Sequence, residues 1–243
     1  MTSFSGGAKD GSGGLAILVD PERTSAGAAE ELARRASGEG VRALLLGNSF
    51  GDNVTTREIA RALRRGSDGV PIVQFPGAAS QLVPEVDAVL LLSLVSGRNA
   101  QYLIEEHVRS VPFFERHPGI EAISTAYCLI DGGTVTTVES VSQTRPLPAD
   151  KPELVVAHVR AAMLIGMRAV YLDAGSGART PVSTELVRAA RRSASGMLFV
   201  GGGVRDAAAV RAARDAGADF VVIGTLLERE GSRAVRELAH AAT

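Results

Sequence analysis

Eight short apolar stretches rich in β-branched residues recur along the chain, and amphipathic helical patterns separate most of them. Continuous apolar strands that alternate with helices predict a parallel sheet whose outer face is covered. Eight such units favour a closed (β/α)8 TIM barrel, with an open doubly wound α/β sheet as the alternative. The strands are expected in LAILVD, VRALLLGN, VPIVQFP, DAVLLLSLVS, ISTAYCLI, AVYLDA, MLFVGGG and DFVVIGT.

The connections between these strands differ in length. Helices are expected near 25–38, 55–66, 99–115, 152–166, 184–194, 206–217 and 233–242. Only GAASQLVPEV separates the third strand from the fourth, so we expect a modified barrel with a curtailed third helix. The segment DGGTVTTVESVSQTRPLPAD is a long insertion, in which GTVTTVES suggests an extra hairpin. Long loops of this kind serve as lids or binding loops.

Composition indicates one domain. The 243 residues are 45% hydrophobic and 22% charged, and no Pro-, Gly- or Ser-rich linker interrupts the middle of the chain. Single α/β barrels of roughly 200–250 residues are ordinary. We therefore predict a disordered leader over residues 1–14 and a single barrel domain over residues 15–243.

Charge and hydropathy exclude several classes of partner. The 26 basic and 27 acidic residues form no basic block, so nucleic acid is not expected as a partner. No apolar run approaches the roughly 18 residues of a membrane span, and the first residues lack the apolar centre of a signal peptide. The single cysteine, Cys128, suits a reducing interior and is expected to be a small buried hydrophobe. We expect a cytoplasmic protein with only transient contact with a membrane surface.

Polar residues and glycines lie where the predicted strands end, which is the edge where barrels carry their chemistry. They are Asp20, Asn48, Ser49, Gln74, Ser93, Tyr127, Asp173, Ser176, Gly201 to Gly203, Gly224 and Thr225. In YLDAGSGA the sixth strand ends in an acidic residue and two glycines follow. Bare backbone admits close approach of a ligand, while Tyr171, Asp173 and Ser176 offer it hydrogen bonds.

The glycines of VGGGVR and VVIGT predict a phosphate site. Barrels often bind phosphate at the loops after strands seven and eight, where backbone N–H groups and a helix dipole attract an anion. Three adjacent glycines also fit tight packing, but their coincidence with the second glycine loop favours phosphate. Arg205 either neutralises this anion or is a solvated surface side chain.

Asp20 in LVDPER is the best candidate for a metal ligand. Mg²⁺ commonly takes one or two protein carboxylates and completes its shell with phosphates and water. On this stretch alone, a turn or N-cap aspartate is the favoured interpretation. Ser49 is either a turn residue or a nearby oxygen donor. The residues alone predict a phosphate-binding barrel enzyme, with no HExxH motif or zinc cluster, and leave its reaction open.

Several motifs together resemble one known family over residues 15–228, in the family's order. They are LVDPER, LGNSFGDN, VQFPGAASQLVPEVDAVLLLSLVSGRNAQYLI, YCLIDGGTVTTVESV, TRPLP, GMRAVYLDAGSGA, FVGGGVR and AGADFVVIGT. They resemble the geranylgeranylglyceryl phosphate synthases, a family that includes the bacterial heptaprenylglyceryl phosphate synthases and related prenyltransferases. No DDxxD motif appears, so the helical chain-elongating prenyltransferases are a poor match.

This resemblance implies transfer of a polyprenyl group from an isoprenoid diphosphate to the free hydroxyl of sn-glycerol 1-phosphate, which forms an ether and releases diphosphate. It implies that Asp20 and Ser49 bind Mg²⁺, which holds the diphosphate, and that Asp173 orients the hydroxyl and takes its proton. It also implies a homo-oligomer, expected to be a dimer. The implied substrate-binding residues are Tyr171, Asp173, Gly175, Ser176, Gly177, Gly201, Gly202, Gly203, Gly224 and Thr225.

The chain departs from the family pattern at several positions. Asp173 stands where the family usually has glutamate, Thr225 where it has asparagine, Asn48 where it has a second glycine, and Arg23 where it has a lysine-like residue. Because aspartate is one methylene shorter, a different phosphorylated acceptor, such as a phosphoglycerate, stays open. Two other classes also remain: a phosphosugar isomerase that uses Asp20 and Asp173 as its acid/base pair, and a non-catalytic phosphate-binding barrel.

Overall fold

The computed structural model describes Phe4, residues 13–224 and residues 234–243. The eight strands are β1 (Gly14–Val19), β2 (Ala43–Leu46), β3 (Ile72–Gln74), β4 (Ala88–Leu94), β5 (Glu121–Leu129), β6 (Ala169–Asp173), β7 (Met197–Gly201) and β8 (Phe220–Ile223). The α-helices are α1 (Ala26–Gly38), α2 (Asn53–Gly66), α3 (Glu106–Arg116), α4 (Thr137–Ser142), α5 (Pro152–Leu164), α6 (Thr184–Arg191), α7 (Ala207–Asp215) and α8 (Val235–Ala241). A 3₁₀ helix spans Ala79–Gln81, and a π-helical turn spans Gln101–Glu105.

The strands form a closed barrel in chain order, and every neighbouring pair is parallel. Strand β8 closes the barrel on β1, with Gly14 opposite Phe220 and Ile17 opposite Ile223. The closed barrel predicted from the eight apolar stretches is confirmed, and the open sheet is excluded. All eight strands run the same way, so their carboxyl ends meet at one end of the barrel.

The core has two layers because side chains on a strand alternate between its two faces. In β7, Met197 and Phe199 face the inside of the barrel, while Leu198 and Val200 pack under the helices. Inside the barrel the Phe199 and Phe220 rings stack with centroids 4.8 Å apart, and Tyr171 lies 5.9 Å above Phe199. The interior is thus filled by an aromatic column whose upper end carries hydroxyl groups.

Of the predictions made for the two irregular connections, one is confirmed and the other is wrong. The third helix is curtailed as predicted, because the short connection between β3 and β4 holds only the 3₁₀ helix. The predicted hairpin in GTVTTVES is wrong, because this stretch contains the start of α4. The Thr136 side chain caps α4 by accepting the N–H of Glu139 at 3.1 Å. The Thr-x-x-Glu spacing is a helix-start signal that outweighs the strand propensity of valine and threonine here.

Residues 136–144, called the cap below, are fixed at both ends by glycines of the barrel loops. A Cβ at Gly175 would run into the Thr136 methyl group, and a Cβ at Gly97 would run into the Thr144 hydroxyl. Thr136 and Thr144 are both buried. These two close approaches hold α4 at the carboxyl end of the barrel.

The predicted boundary between leader and domain falls near the first strand, since β1 begins at Gly14. Of the predicted leader, only Phe4, Gly13 and Gly14 are described, and the Phe4 ring stacks on Phe220 with centroids 5.4 Å apart. The rest of the leader lies outside the described residues. Within the described ranges, no helix has the length and apolarity needed to cross a membrane.

Candidate active site

A cavity of about 710 Å³ opens at the carboxyl end of the barrel, beneath the cap. Most residues predicted for the site line it: Asp20, Ser49, Tyr171, Asp173, Ser176, Gly177, Gly202, Gly203 and Gly224. Arg23, Asn48, Tyr127 and Arg205 line it as well. Gly175 and Gly201 are not among the lining residues, and Thr225 lies outside the described residues. Motifs that are far apart in the chain therefore meet in one space.

Asp173 is buried at the end of β6, and both of its carboxyl oxygens are hydrogen-bonded. The Tyr127 hydroxyl donates to Oδ2 at 2.5 Å, and the N–H of Gly175 donates to Oδ1 at 2.7 Å. Burial raises the pKa of Asp173, and these two hydrogen bonds act against that rise. Burial and the nearby Asp173 also raise the pKa of Tyr127, which keeps its hydroxyl protonated as a donor.

The glycine loops after β6 and β7 fit into each other. Gly175 and Gly202 both have left-handed backbone angles, with φ of +89° and +80°. A Cβ at Gly202 would lie 2.5 Å from the nitrogen of Gly175 and 2.6 Å from Oδ1 of Asp173. A Cβ at Gly201 would lie 2.5 Å from the Tyr171 hydroxyl. Glycine is thus required here for the close packing that positions Asp173, in addition to any contact with a ligand.

Other glycines leave open space in the same region. Gly177 has φ of +76°, and an added Cβ would meet nothing within 4 Å. Gly203 and Gly224 line the cavity beside it, together with Arg205, whose guanidinium also donates to the main-chain oxygen of Ala178 at 2.9 Å. Exposed backbone next to a guanidinium is a suitable environment for a phosphate group.

Asp20 lies at the end of β1, and its side chain is about a quarter exposed, at 26%. Its Oδ1 accepts the N–H of Glu22 at 2.9 Å and the Nδ2 of Asn48 at 3.2 Å, while Oδ2 lies 3.9 Å from Nε of Arg23. Asp20 therefore makes the turn contact expected from the sequence, but this contact uses only one of its two carboxyl oxygens. Ser49 and Glu22 line the cavity too and add oxygen atoms to this part of it.

The donor set at Asp20 fits Mg²⁺ better than a metal that needs a full protein cage. The described residues contain no group of three or more His, Cys, Asp or Glu side chains that could hold a metal ion. A site with one or two carboxylates suits Mg²⁺, which keeps several waters and binds substrate phosphates.

Another part of the cavity wall is apolar. Leu92 and Leu94 come from β4, Tyr102 from the π-helical turn, and Val138 and Val141 from α4. This wall lies in the same cavity as Asp20 and Asp173. The site can therefore accommodate a molecule with a polar head and an apolar tail.

Comparison with known proteins identifies the family. Residues 15–242 match the sequence profile of the PcrB family. The chain belongs to the PcrB family. Among its PcrB-like relatives, the geranylgeranylglyceryl phosphate synthase of Chitinophaga pinensis is 38% identical over 93% of this chain and 89% of its own length. The synthase of the same name from Korarchaeum cryptofilum is 37% identical over 93% of each chain.

The PcrB-family barrel is also similar to a solved structure. The crystal structure of (S)-3-O-geranylgeranylglyceryl phosphate synthase from Thermoplasma acidophilum, in complex with substrate sn-glycerol-1-phosphate, matches with a TM-score of 0.92. The two proteins are 26% identical, and the match covers 100% of this chain and 99% of that chain. The family and the enzyme class predicted from the motifs are thereby confirmed.

Two contacts in this PcrB-family site were missed by sequence reasoning. Tyr127 was recognised as a residue at a strand end, but not as the partner of Asp173. The signal that could have revealed this contact was the parallel register of β5 and β6, which sets Tyr127 opposite Tyr171. This pairing brings the Tyr127 hydroxyl close to the end of β6. Gln81, which contacts Asn48 at 3.2 Å, carried no signal, because the contact spans 33 positions and depends on the curtailed connection.

Proposed function

We infer that the protein is a Mg²⁺-dependent prenyltransferase that joins a polyprenyl group to the hydroxyl of sn-glycerol 1-phosphate and releases diphosphate. The observation that carries this proposal is the joint lining of one cavity by Asp20, Asp173, the glycines of the β7 and β8 loops, and an apolar wall. The complex of the T. acidophilum relative with sn-glycerol-1-phosphate supports the choice of acceptor.

The acceptor phosphate is proposed to bind at Gly177, Gly203 and Gly224, with Arg205 supplying positive charge. The glycerol hydroxyl then faces Asp173. Because burial raises the pKa of this carboxyl, its affinity for a proton is higher than that of an exposed aspartate. A base whose pKa is shifted toward the working pH takes a proton more effectively. Asp173 thus orients the hydroxyl and accepts its proton as the ether bond forms.

The diphosphate is proposed to bind at the opposite side of the cavity, where Asp20 and Ser49 would hold Mg²⁺. The ion, when bound, neutralises charge on the departing diphosphate. Arg23 lines the same region and adds a fixed positive charge. The prenyl chain lies along the apolar wall, where Leu92 and Val138 exclude water from the reacting carbon.

One structural detail favours a second acceptor. The short Asp173 side chain is held back by Tyr127 and Gly175, so more space remains in front of it than a glutamate would leave. A larger phosphorylated acceptor, such as a phosphoglycerate, would use that space. Asp173→Glu separates the two acceptors: it should retain or raise turnover with sn-glycerol 1-phosphate, and it should lower turnover with an acceptor that needs the space.

The test is incubation with Mg²⁺, radiolabelled prenyl diphosphates of several lengths, and a panel of glycerol and glycerate phosphates. We expect an ether product and diphosphate, and we expect Asp20→Asn to abolish turnover. Asp131→Asn is a matched control, because Asp131 makes the same turn contact, to the N–H of Gly133 at 2.8 Å, and does not line the cavity. Phosphosugar isomerisation without Mg²⁺, or ligand binding without any prenyl transfer, would overturn the proposal.

A further inference from the structure

A chain of side-chain amides runs beneath the cavity from β3 toward Asp20. Gln74 is fully buried at the end of β3. Its Nε2 donates to the main-chain oxygen of Gln81 at 2.7 Å, and its Oε1 accepts the N–H of Val83 at 3.1 Å. These two hydrogen bonds anchor the 3₁₀ helix, and with it Gln81, to the barrel.

The direction of the Gln81 amide is set by backbone donors. Its Oε1 accepts the N–H of Gly77 at 2.6 Å and that of Ala78 at 3.3 Å. Since the oxygen is used in this way, Nε2 faces the other side, where it donates to Oδ1 of Asn48 at 3.2 Å. An amide accepts at one end and donates at the other. The Nδ2 of Asn48 is therefore the end that reaches Asp20.

Asn48 makes the two oxygens of Asp20 unequal. Oδ1 carries two donors, Nδ2 of Asn48 and the N–H of Glu22. Oδ2 faces positive charge instead, with Nε of Arg23 at 3.9 Å. Oδ1 is thus tied to the protein by two hydrogen bonds, whereas Oδ2 makes a long ion pair and is the oxygen better placed to bind a metal ion. The glycine that the family usually carries at position 48 offers no such donor.

We propose that Asn48 is a positioning residue that makes Asp20 a one-oxygen ligand, and that it thereby favours Mg²⁺ over Ca²⁺. This rests on the proposed function, in which Asp20 holds Mg²⁺. Ca²⁺ accepts a carboxylate through both oxygens in a large, flexible shell, whereas Mg²⁺ requires a small octahedral one. The hydrogen-bond donors on Oδ1 oppose binding of a metal ion through both oxygens of Asp20, but they do not hinder binding through Oδ2 alone.

The experiment measures Mn²⁺ binding to the full chain without substrates, by electron paramagnetic resonance of the free ion, and its displacement by Mg²⁺ or Ca²⁺. Loss of a residue that orients a metal ligand commonly weakens metal affinity about 10–100-fold. We expect Asn48→Ala to weaken Mg²⁺ binding about tenfold and Ca²⁺ binding less, so that the preference for Mg²⁺ falls. Asn53→Ala, the same change at an exposed position at the start of α2, should leave both affinities unchanged.

A second variant acts on Asn48 from a distance. In Gln81→Glu the new oxygen would accept from Nδ2 of Asn48, which would turn the Asn48 oxygen toward Asp20. The preference for Mg²⁺ should fall as it does in Asn48→Ala, with Asp20 itself unchanged. A purely structural role for Asn48 would lower the melting temperature without changing the ratio of the two affinities.

The outcomes separate this inference from the proposed function. If Asp20→Asn binds Mn²⁺ as the parent does, the metal site is elsewhere, and both proposals fail. If Asp20→Asn loses binding while Asn48→Ala keeps the parent's affinities and ratio, the metal site stands and the role of Asn48 is refuted.

Discussion

The hydroxyl of Tyr127 donates a hydrogen bond of 2.5 Å to Oδ2 of Asp173, and this contact joins the ends of β5 and β6 within the cavity. Both side chains are buried, so little solvent competes for the bond. It is one of two hydrogen bonds that limit the rise in the pKa of Asp173 caused by burial. The proton affinity of the proposed base is therefore adjusted by a tyrosine on the neighbouring strand.

Tyr127→Phe should raise the pKa of Asp173 further, because it removes the hydrogen bond that favours the ionised carboxyl. The acidic limb of the pH profile of turnover should move to higher pH, since the base must be ionised to accept a proton. Tyr102→Phe is a control, because Tyr102 also lines the cavity but belongs to the π-helical turn. An unchanged acidic limb in Tyr127→Phe would mean that Asp173 does not act as the base.

Asp173 should also make stability depend on pH. Its pKa is raised in the folded protein, so the folded state binds the proton more tightly than the unfolded state. The resulting stabilisation is fully present below the ordinary carboxyl pKa and is lost as pH rises through the folded value. The free energy of unfolding of the parent, relative to that of Asp173→Asn, should therefore fall with rising pH in urea titrations across that range.

Asp52 should make the free energy of unfolding depend on pH in the opposite direction, and the same urea titrations measure this. Its pKa is lowered, first by the hydrogen bond from the N–H of Thr55 that caps α2. The stability it contributes is present above the ordinary carboxyl pKa and is lost as pH falls through the folded value. The parent should thus lose stability relative to Asp52→Asn on acidification. If the free energy of unfolding of both variants ran parallel to that of the parent at every pH, the pKa directions given for Asp173 and Asp52 would be contradicted.

Gly202→Ala should be more destabilising than Gly177→Ala, although both glycines have left-handed backbone angles. The conformation alone costs about 1–2 kcal/mol for alanine. At Gly202 the methyl group also meets the nitrogen of Gly175, and overpacking typically adds about 1–3 kcal/mol. Chemical denaturation measures both losses. Equal losses would show that the β6 and β7 loops separate easily to admit the methyl group.

Thr144→Val should stabilise the protein by about 1 kcal/mol, the lower end of the penalty for a buried polar group without a partner. Among the described residues, Oγ1 of Thr144 is buried and has no hydrogen-bond partner, while valine keeps the shape of the side chain. Thr137→Val, nearby in the cap, serves as a comparison. A loss of stability in Thr144→Val would indicate that the hydroxyl is bonded in solution.

The fold could be predicted from sequence because each apolar stretch had the length of a strand and each connection except one had room for a helix. The connection from β3 to β4 fell below that length, and its shortness was visible in the residue count alone. The hairpin error in the cap has a local cause. Thr136 and Glu139 carry the helix-start signal, whereas the valine and threonine content of the same stretch favours a strand.

The site could be predicted only in part, because its motifs are local and its contacts are not. Asp20, Asp173 and the glycines were visible at strand ends, and barrel topology brings strand ends together. The bond from Tyr127 to Asp173 and the bond from Gln81 to Asn48 depend on side-chain directions across loops. No spacing within a single motif encodes those directions.

The two ends of the cap pack directly against Gly175 and Gly97. Both attachments are made to loops that border the cavity, whereas the strands below are joined by the closed hydrogen-bond ladder of the barrel. Local opening starts where buried contacts are fewest. On gradual heating, the chain should therefore stop recognising its substrates while its circular dichroism still reports an intact barrel.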